Sequence, residues 1–314
     1  MNAIKKHVLK NKEYRMFFVL IIMLVISAII SPVFRSWENL INLFSQNAVY
    51  GIMAIGMTFV ILSGCIDLSV SSTVALTGVI SAFLFRDCGL IIGILGGLLV
   101  GCAIGFINGI LITKAKINYL ITTLGTMTIV RGAVLIITNG YPVQGIPEEF
   151  GIIGMGKILV FPIVAVIWLV LVAIVFFVLK NTKFGHYIYA IGGNEKAAWL
   201  SGVKTDRIKI LSFLLCGFFA SIAGVLLVLK LLIAQADAAQ GYEMNVIAAC
   251  IIGGLSLDGG RGNALNSVFG TLILGLILNM LQLVGVSSFW QQAVTGFIIL
   301  GAVGLDSFSN IKRD

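Results

Sequence analysis

Residues 90–112 read LIIGILGGLLVGCAIGFINGILI and contain no charged side chain. A run of about 20 predominantly apolar residues is long enough to cross the hydrocarbon core of a bilayer as an α-helix. Nine further apolar runs lie along the chain, some of them shorter or broken. The sequence therefore predicts an all-α, polytopic transmembrane bundle of about ten spans: Met16–Ile30, Ala48–Leu62, Val70–Phe85, Leu90–Ile112, Tyr119–Ile137, Ile158–Leu179, Ile208–Ile233, Tyr242–Gly253, Asn266–Val284 and Phe289–Val303.

The composition supports a membrane protein built as one domain. Hydrophobic residues make up 59% of the 314 residues and charged residues only 11%. Soluble domains carry roughly 25% charged residues, so this chain has too few to cover a water-exposed surface. No polar segment is long enough to fold alone. We therefore expect a single transmembrane domain over residues 1–314, with the lipid bilayer as its surroundings.

The distribution of Lys and Arg predicts the orientation of the spans. With ten spans and both termini in the cytoplasm, sixteen of these residues fall on the cytoplasmic side and four on the outer side. Cytoplasmic loops of inner-membrane proteins are enriched in Lys and Arg. The net charge of +8 is explained by this bias, and we expect no nucleic-acid partner.

Two breaks interrupt the apolar pattern in a similar way. The first break is Ser63–Ser69 and the second break is Gly253–Gly260; each combines glycines with one Asp between shorter apolar segments. Broken helices at matching places in two halves are typical of a transport pathway. Two plain cytoplasmic turns remain the alternative interpretation.

Motifs of enzymes and of nucleotide-binding proteins are absent. The chain has two histidines, no His-Glu-x-x-His and no Gly-x-Ser-x-Gly. The nearest match to a phosphate-binding loop, Gly254–Arg261, lacks the required Lys-Ser/Thr pair. We therefore expect no catalytic residue, cofactor or metal, and any ATP hydrolysis must occur in another subunit.

Several polar residues within the spans are candidates for a translocation pathway. Neutral hydrogen-bonding groups suit a hydroxyl-rich solute, although Ser, Thr and Asn also join helices in membranes. Lys230 and Glu243 lie near span ends, where long side chains reach the interface. The candidates for the pathway are Asp67, Asn108, Thr123, Thr126, Arg131, Asn279 and Gln282.

The longest cytoplasmic loop, residues 180–209, contains the signals of one short helix. Asn194 is a plausible N-cap, Glu195 lies in the first turn, and Gly202 ends the segment. A short helix at the cytoplasmic face can dock on a motor subunit. The segment predicted to dock contains Gly193, Asn194, Glu195, Ala197, Ala198, Ser201 and Gly202.

This loop and several motifs elsewhere resemble one family. The Gly-Gly-Asn run before Ala197-Ala198 is similar to the coupling segment of the ribose-type sugar permeases of bacterial ABC importers. Further similarity is found in Gly56–Val70, in Thr123–Gly132 and in Gly241–Gly262.

The resemblance implies an inner-membrane permease that carries a monosaccharide. It also implies three partners: a cytoplasmic ABC ATPase, an extracytoplasmic sugar-binding protein, and a second permease that is a copy or a relative of this chain. A nucleoside or branched-chain amino-acid permease of the same superfamily, and an ion-coupled secondary carrier, remain as alternatives.

Overall fold

The computed structural model describes residues 12–311, which form thirteen α-helices and one short β-hairpin. Single 3-10 turns lie at Val33–Arg35 and Glu148–Phe150, and the hairpin pairs β1 (Lys157–Ile158) with β2 (Phe161–Pro162) in antiparallel register. The helices are α1 Lys12–Ile30, α2 Trp37–Leu62, α3 Val70–Cys88, α4 Leu90–Thr113, α5 Tyr119–Thr138, α6 Gly151–Met155, α7 Ile163–Asn181, α8 Lys183–Gly193, α9 Glu195–Leu200, α10 Thr205–Leu231, α11 Tyr242–Ile252, α12 Ala264–Leu283 and α13 Ser288–Ile311.

The helical, membrane-spanning character of the chain is confirmed. Seven helices (α2, α3, α4, α5, α7, α10 and α12) are long and apolar enough to cross a membrane. Shorter apolar helices are found at Met16–Ile30 and in α11. Each of the ten predicted spans overlaps a helix. The count of ten spans stays a prediction, as does the cytoplasmic position of the termini, because residues 1–11 and 312–314 lie outside the described residues.

The centre of the protein is the second half of α2, where every residue from Ala48 to Leu62 except Tyr50 is buried. Helix α10 packs along it, and Phe59 stacks on Phe219 with ring centroids 6.1 Å apart. Burial on all sides explains why this segment is apolar around its whole circumference.

A row of small residues holds α4 against α10. Gly97, Gly101, Gly105 and Gly109 follow one another at intervals of four, so they share one face of α4. A Cβ atom added at Gly101 would lie 2.6 Å from the Cβ atom of Ser221, which leaves no room for a side chain. Small residues at this spacing let helix backbones approach closely in membranes.

Two predicted span starts differ from the helix starts in the structure by five residues or more. Helix α2 begins at Trp37 rather than Ala48, because the Ser36 hydroxyl caps it by accepting a hydrogen bond from the Asn39 amide at 3.2 Å. Helix α7 begins at Ile163 rather than Ile158. Pro162 follows Phe161 and disfavours a helical conformation there, and residues 157–162 form the hairpin instead.

Candidate functional site

A chain of hydrogen bonds joins three of the residues predicted for the pathway. The Thr126 hydroxyl donates to the Asn108 Oδ1 atom at 2.7 Å, and the Asn108 Nδ2 group donates to the Ser69 hydroxyl at 2.9 Å. The Ser69 hydroxyl in turn donates to Asp67 Oδ1 at 2.6 Å. This polar chain, Thr126–Asn108–Ser69–Asp67, crosses from α5 through α4 to the first break, so three distant candidates form one site.

Asp67 is held at the end of the polar chain. Its side chain is 2% exposed, and its Oδ1 atom also accepts a hydrogen bond from the Ser69 amide at 2.9 Å. Burial raises the pKa of the Asp67 carboxyl, while the hydrogen bonds from Ser69 act in the opposite direction. Within residues 12–311 no salt bridge involves Asp67. Sequence reasoning missed Ser69, although an Asp two residues before a Ser is a known turn pattern.

Arg131 lies apart from the polar chain. Its Nη1 group donates to the carbonyl oxygens of Ala236 at 3.1 Å and Ala238 at 2.9 Å, so it fixes the loop between α10 and α11. It also lines a cavity of about 410 Å³. The lining residues are Ser71, Met127, Thr128, Arg131, Gly132, Leu135, Gln240, Gly241 and Glu243.

The other three pathway candidates have different surroundings. The Thr123 hydroxyl donates to the Tyr119 carbonyl of its own helix at 2.8 Å. Asn279 exchanges hydrogen bonds with Asn39 at 3.1 and 3.3 Å and so ties α12 to α2. Gln282 is exposed. None of the three joins the polar chain or lines the Arg131 cavity, and their role in a pathway stays a prediction.

The short helix in the loop at residues 180–209 has the predicted bounds and cap. Helix α9 spans Glu195–Leu200, and the Asn194 Oδ1 atom accepts from the Ala197 amide at 2.9 Å. The Ser201 hydroxyl donates to the Ala197 carbonyl at 2.9 Å. Gly202 follows with a φ of 85°, a left-handed conformation that suits glycine at a helix end.

Helix α9 presents apolar side chains beside a cationic cleft. Trp199 is 61% exposed and Leu200 is 70% exposed. Glu195 forms an ion pair with Lys209 at 2.6 Å, which binds α9 to α10. The cleft of about 660 Å³ next to α9 is lined by Lys114, Lys116, Glu195, Lys196, Trp199, Lys204, Thr205, Asp206 and Arg207. This exposed surface is suited to contact another protein.

Helix α8, which the sequence analysis did not predict, connects α9 to both breaks. The Gly260 amide in the second break donates to the Leu62 carbonyl beside the first break at 3.0 Å. Gly192, near the end of α8, lies so close to Leu62 and Gly260 that an added Cβ atom would overlap both. The Tyr189 hydroxyl of α8 donates to the Gly262 carbonyl at 2.7 Å. We call this contact of Gly192 with Leu62 and Gly260 the glycine junction.

No group of three or more His, Cys, Asp or Glu side chains within the described residues could hold a metal ion.

Comparison with known proteins gives consistent matches over nearly the whole chain. A family model described as branched-chain amino acid transport system / permease component matches residues 39–303. The chain is 39% identical to the ribose import permease protein RbsC of Haemophilus influenzae, covering 96% of this chain and 95% of that protein. The identity is 42% to RbsC of Bacillus subtilis, covering 92% and 91%. It is 41% to the L-arabinose transport system permease protein AraH of Escherichia coli, covering 94% and 90%. No solved structure gives a significant match.

Proposed function

We propose that this chain, which belongs to the family of branched-chain amino acid transport system permease components, forms the translocation pathway for a ribose-like monosaccharide in an ATP-driven importer. The chain is a multi-pass protein of the bacterial inner membrane, and it is a transporter subunit rather than an enzyme. The observation that carries the substrate class is the identity of about 40% to ribose and arabinose permeases over more than 90% of the chain.

The proposed topology has ten spans with both termini in the cytoplasm, in one domain over residues 1–314. The helices that overlap all ten predicted segments support it. The bias of Lys and Arg toward one side supports the orientation. This orientation assigns α8 and α9 to the cytoplasm and the hairpin at residues 157–162 to the outer face.

The proposed pathway follows the polar chain and the Arg131 cavity. The polar chain contains hydroxyl and amide groups, and the cavity adds the neutral polar side chains of Ser71, Thr128 and Gln240 beside two charged groups and apolar surface. The neutral polar groups can exchange hydrogen bonds with an uncharged sugar. The protein alternates between a conformation open to the outside and one open to the cytoplasm. Binding of ATP to the ATPase determines which of the two conformations is favoured.

The proposed partners are a cytoplasmic ABC ATPase, an extracytoplasmic sugar-binding protein and a second permease chain. Helix α9 docks on the ATPase through its exposed Trp199 and Leu200 side chains. The glycine junction then carries the motion of the α8–α9 segment to both breaks at once, since α8 contacts both.

Reconstitution tests the function directly. The permease, its ATPase and its binding protein are incorporated in liposomes, and uptake of D-ribose is measured with ATP present. We expect uptake to continue when the membrane potential is collapsed and to stop when ATP is removed. Uptake that follows the potential instead of ATP would identify an ion-coupled carrier, and transport of L-leucine in place of D-ribose would identify an amino-acid permease.

A further inference from the structure

The Arg131 cavity lies where α3, α5 and the start of α11 meet. Ser71 belongs to the first turn of α3, just after the first break, and Gln240, Gly241 and Glu243 surround the first residue of α11. Its volume of about 410 Å³ is within the range of roughly 300–1,000 Å³ that is usual for small-molecule sites. In membrane transporters, substrate sites are commonly built at the ends of interrupted helices.

Glu243 lines this cavity, and one of its two carboxylate oxygens has no hydrogen-bond partner among the described residues. Its Oε2 atom is buried and accepts no hydrogen bond from the described residues. A carboxylate oxygen removed from water without a donor is costly, so its retention requires an explanation. Glu243 is in the first turn of α11, where the helix dipole favours a negative charge. The dipole stabilises the negative charge but does not supply a hydrogen-bond donor to Oε2.

Arg131 supplies donors to the same cavity. Both of its hydrogen bonds within the described residues are made by Nη1, to the carbonyl oxygens of Ala236 and Ala238. These bonds fix the plane of the guanidinium group, and the Nε and Nη2 groups make none to the described part of the chain. Arg131 and Glu243 form no ion pair within 4.0 Å among residues 12–311, although their charges attract each other.

We propose that Glu243 and Arg131 form a binding site for sugar hydroxyl groups within this cavity. A hydroxyl group both donates and accepts, so one sugar can donate to the Glu243 carboxylate and accept from the Nε and Nη2 groups of Arg131. Thr128 and Gln240 add neutral polar groups to the lining, and Met127 and Leu135 add apolar surface. This inference rests on the proposed function as a monosaccharide permease and assigns the substrate site within it.

A zwitterionic amino acid could also bridge an Arg and a Glu. We favour the neutral ligand because the chain is similar to ribose and arabinose permeases. The Nε and Nη2 groups of Arg131 are on one edge of the guanidinium and can pair with a carboxylate in a bidentate manner. The experiment below therefore includes L-leucine as a second probe.

The test compares Glu243→Gln with Asp237→Asn in the complete reconstituted transporter. Asp237 is an exposed acid in the loop that Arg131 binds, and it does not line the cavity, so the control removes the same charge close by. We expect Glu243→Gln to lower the maximal rate of D-ribose uptake by about tenfold, since hydrogen bonds to charged groups are strong. The ribose concentration at half-maximal uptake and the stimulation of ATPase activity by loaded binding protein should stay within about twofold of wild type. Asp237→Asn should leave all three values within about twofold.

The outcomes separate the site from the proposed function. If the wild-type transporter takes up D-ribose and Glu243→Gln matches it, the site is wrong while the function stands. If wild type shows no ATP-dependent D-ribose uptake, the function itself fails. Uptake of L-leucine by wild type that is lost in Glu243→Gln would assign the cavity to an amino acid and overturn the proposal.

A second measurement covers the case in which Glu243→Gln fails to insert. Thr128→Cys places a thiol in the cavity lining at an exposed position, and Cys88→Ser removes an exposed native thiol. D-ribose should slow labelling of Cys at position 128 at least about threefold in the active transporter, because a bound ligand excludes the reagent. An unchanged labelling rate in a transporter that imports D-ribose would overturn the proposal.

Discussion

Replacing Gly192 by Ala should disrupt the glycine junction. The added methyl group overlaps the Leu62 carbonyl oxygen and the Gly260 amide, and lies 2.9 Å from the Gly260 Cα atom. Overpacking of this kind costs about 1–3 kcal/mol. Loss of the hydrogen bond between Gly260 and Leu62 adds about 1 kcal/mol. The higher helix propensity of Ala offsets about 1 kcal/mol, so the net loss of stability is about 1–3 kcal/mol.

Gly193 is the matched control for this variant. It is the next residue in α8, it has no positive φ, and an added Cβ atom meets nothing within 4 Å. Gly193→Ala should therefore gain helix propensity without a clash. In thermal unfolding of the solubilised permease, we expect Gly192→Ala to lower Tm by about 2–8 °C and Gly193→Ala to leave it unchanged or raised.

The same pair of variants tests transmission of motion. With the assembled transporter, Gly192→Ala should reduce the stimulation of ATPase activity by loaded binding protein, because the α8–α9 segment no longer fits against both breaks. Equal Tm values and equal stimulation for the two variants would show that the close contact at Gly192 affects neither stability nor coupling, and the reasoning would be refuted.

Two further predictions concern the topology and the coupling loop. Cysteines introduced at Ser307 and Glu148 should be labelled from opposite sides of the membrane, and labelling from one side would contradict ten spans. Gly202→Glu should abolish stimulation of the ATPase while the permease still inserts, because a bulky residue at a φ of 85° is strained and obstructs docking. Glu195→Gln should change stimulation by less than about fivefold, since an exposed ion pair contributes at most about 1 kcal/mol; the reverse ranking would show that the contact with the ATPase is electrostatic.

Local signals in the sequence were sufficient for some elements. Helix α9 was predicted from its cap and its stop, because an Asn before a first turn with one Glu and a later Gly are signals that act within a few residues. Helix α8 was missed because the pair Gly192-Gly193 is typical of loops. Its helical form places Gly192 against Leu62 and Gly260, which are far away in sequence. Such a long-range contact cannot be predicted from local sequence patterns.

The candidate site was predicted only as separate residues. Asp67, Asn108 and Thr126 were each chosen as polar groups in apolar surroundings, but their connection through Ser69 depends on the relative positions of α4, α5 and the first break. Glu243 was assigned to the interface because it lies near a span end. Helix α11 has only 11 residues, and its first turn lines the Arg131 cavity instead.

The row of glycines on α4 has a practical consequence for measurements of motion in this protein. Because the backbones of α4 and α10 pack so closely, we expect the two helices to move together as one unit. Two spin labels on the lipid-facing sides of these helices would keep a constant separation through the transport cycle. The pair therefore provides a reference distance, against which distances to α8, α9 or the hairpin at residues 157–162 can be compared in every nucleotide state.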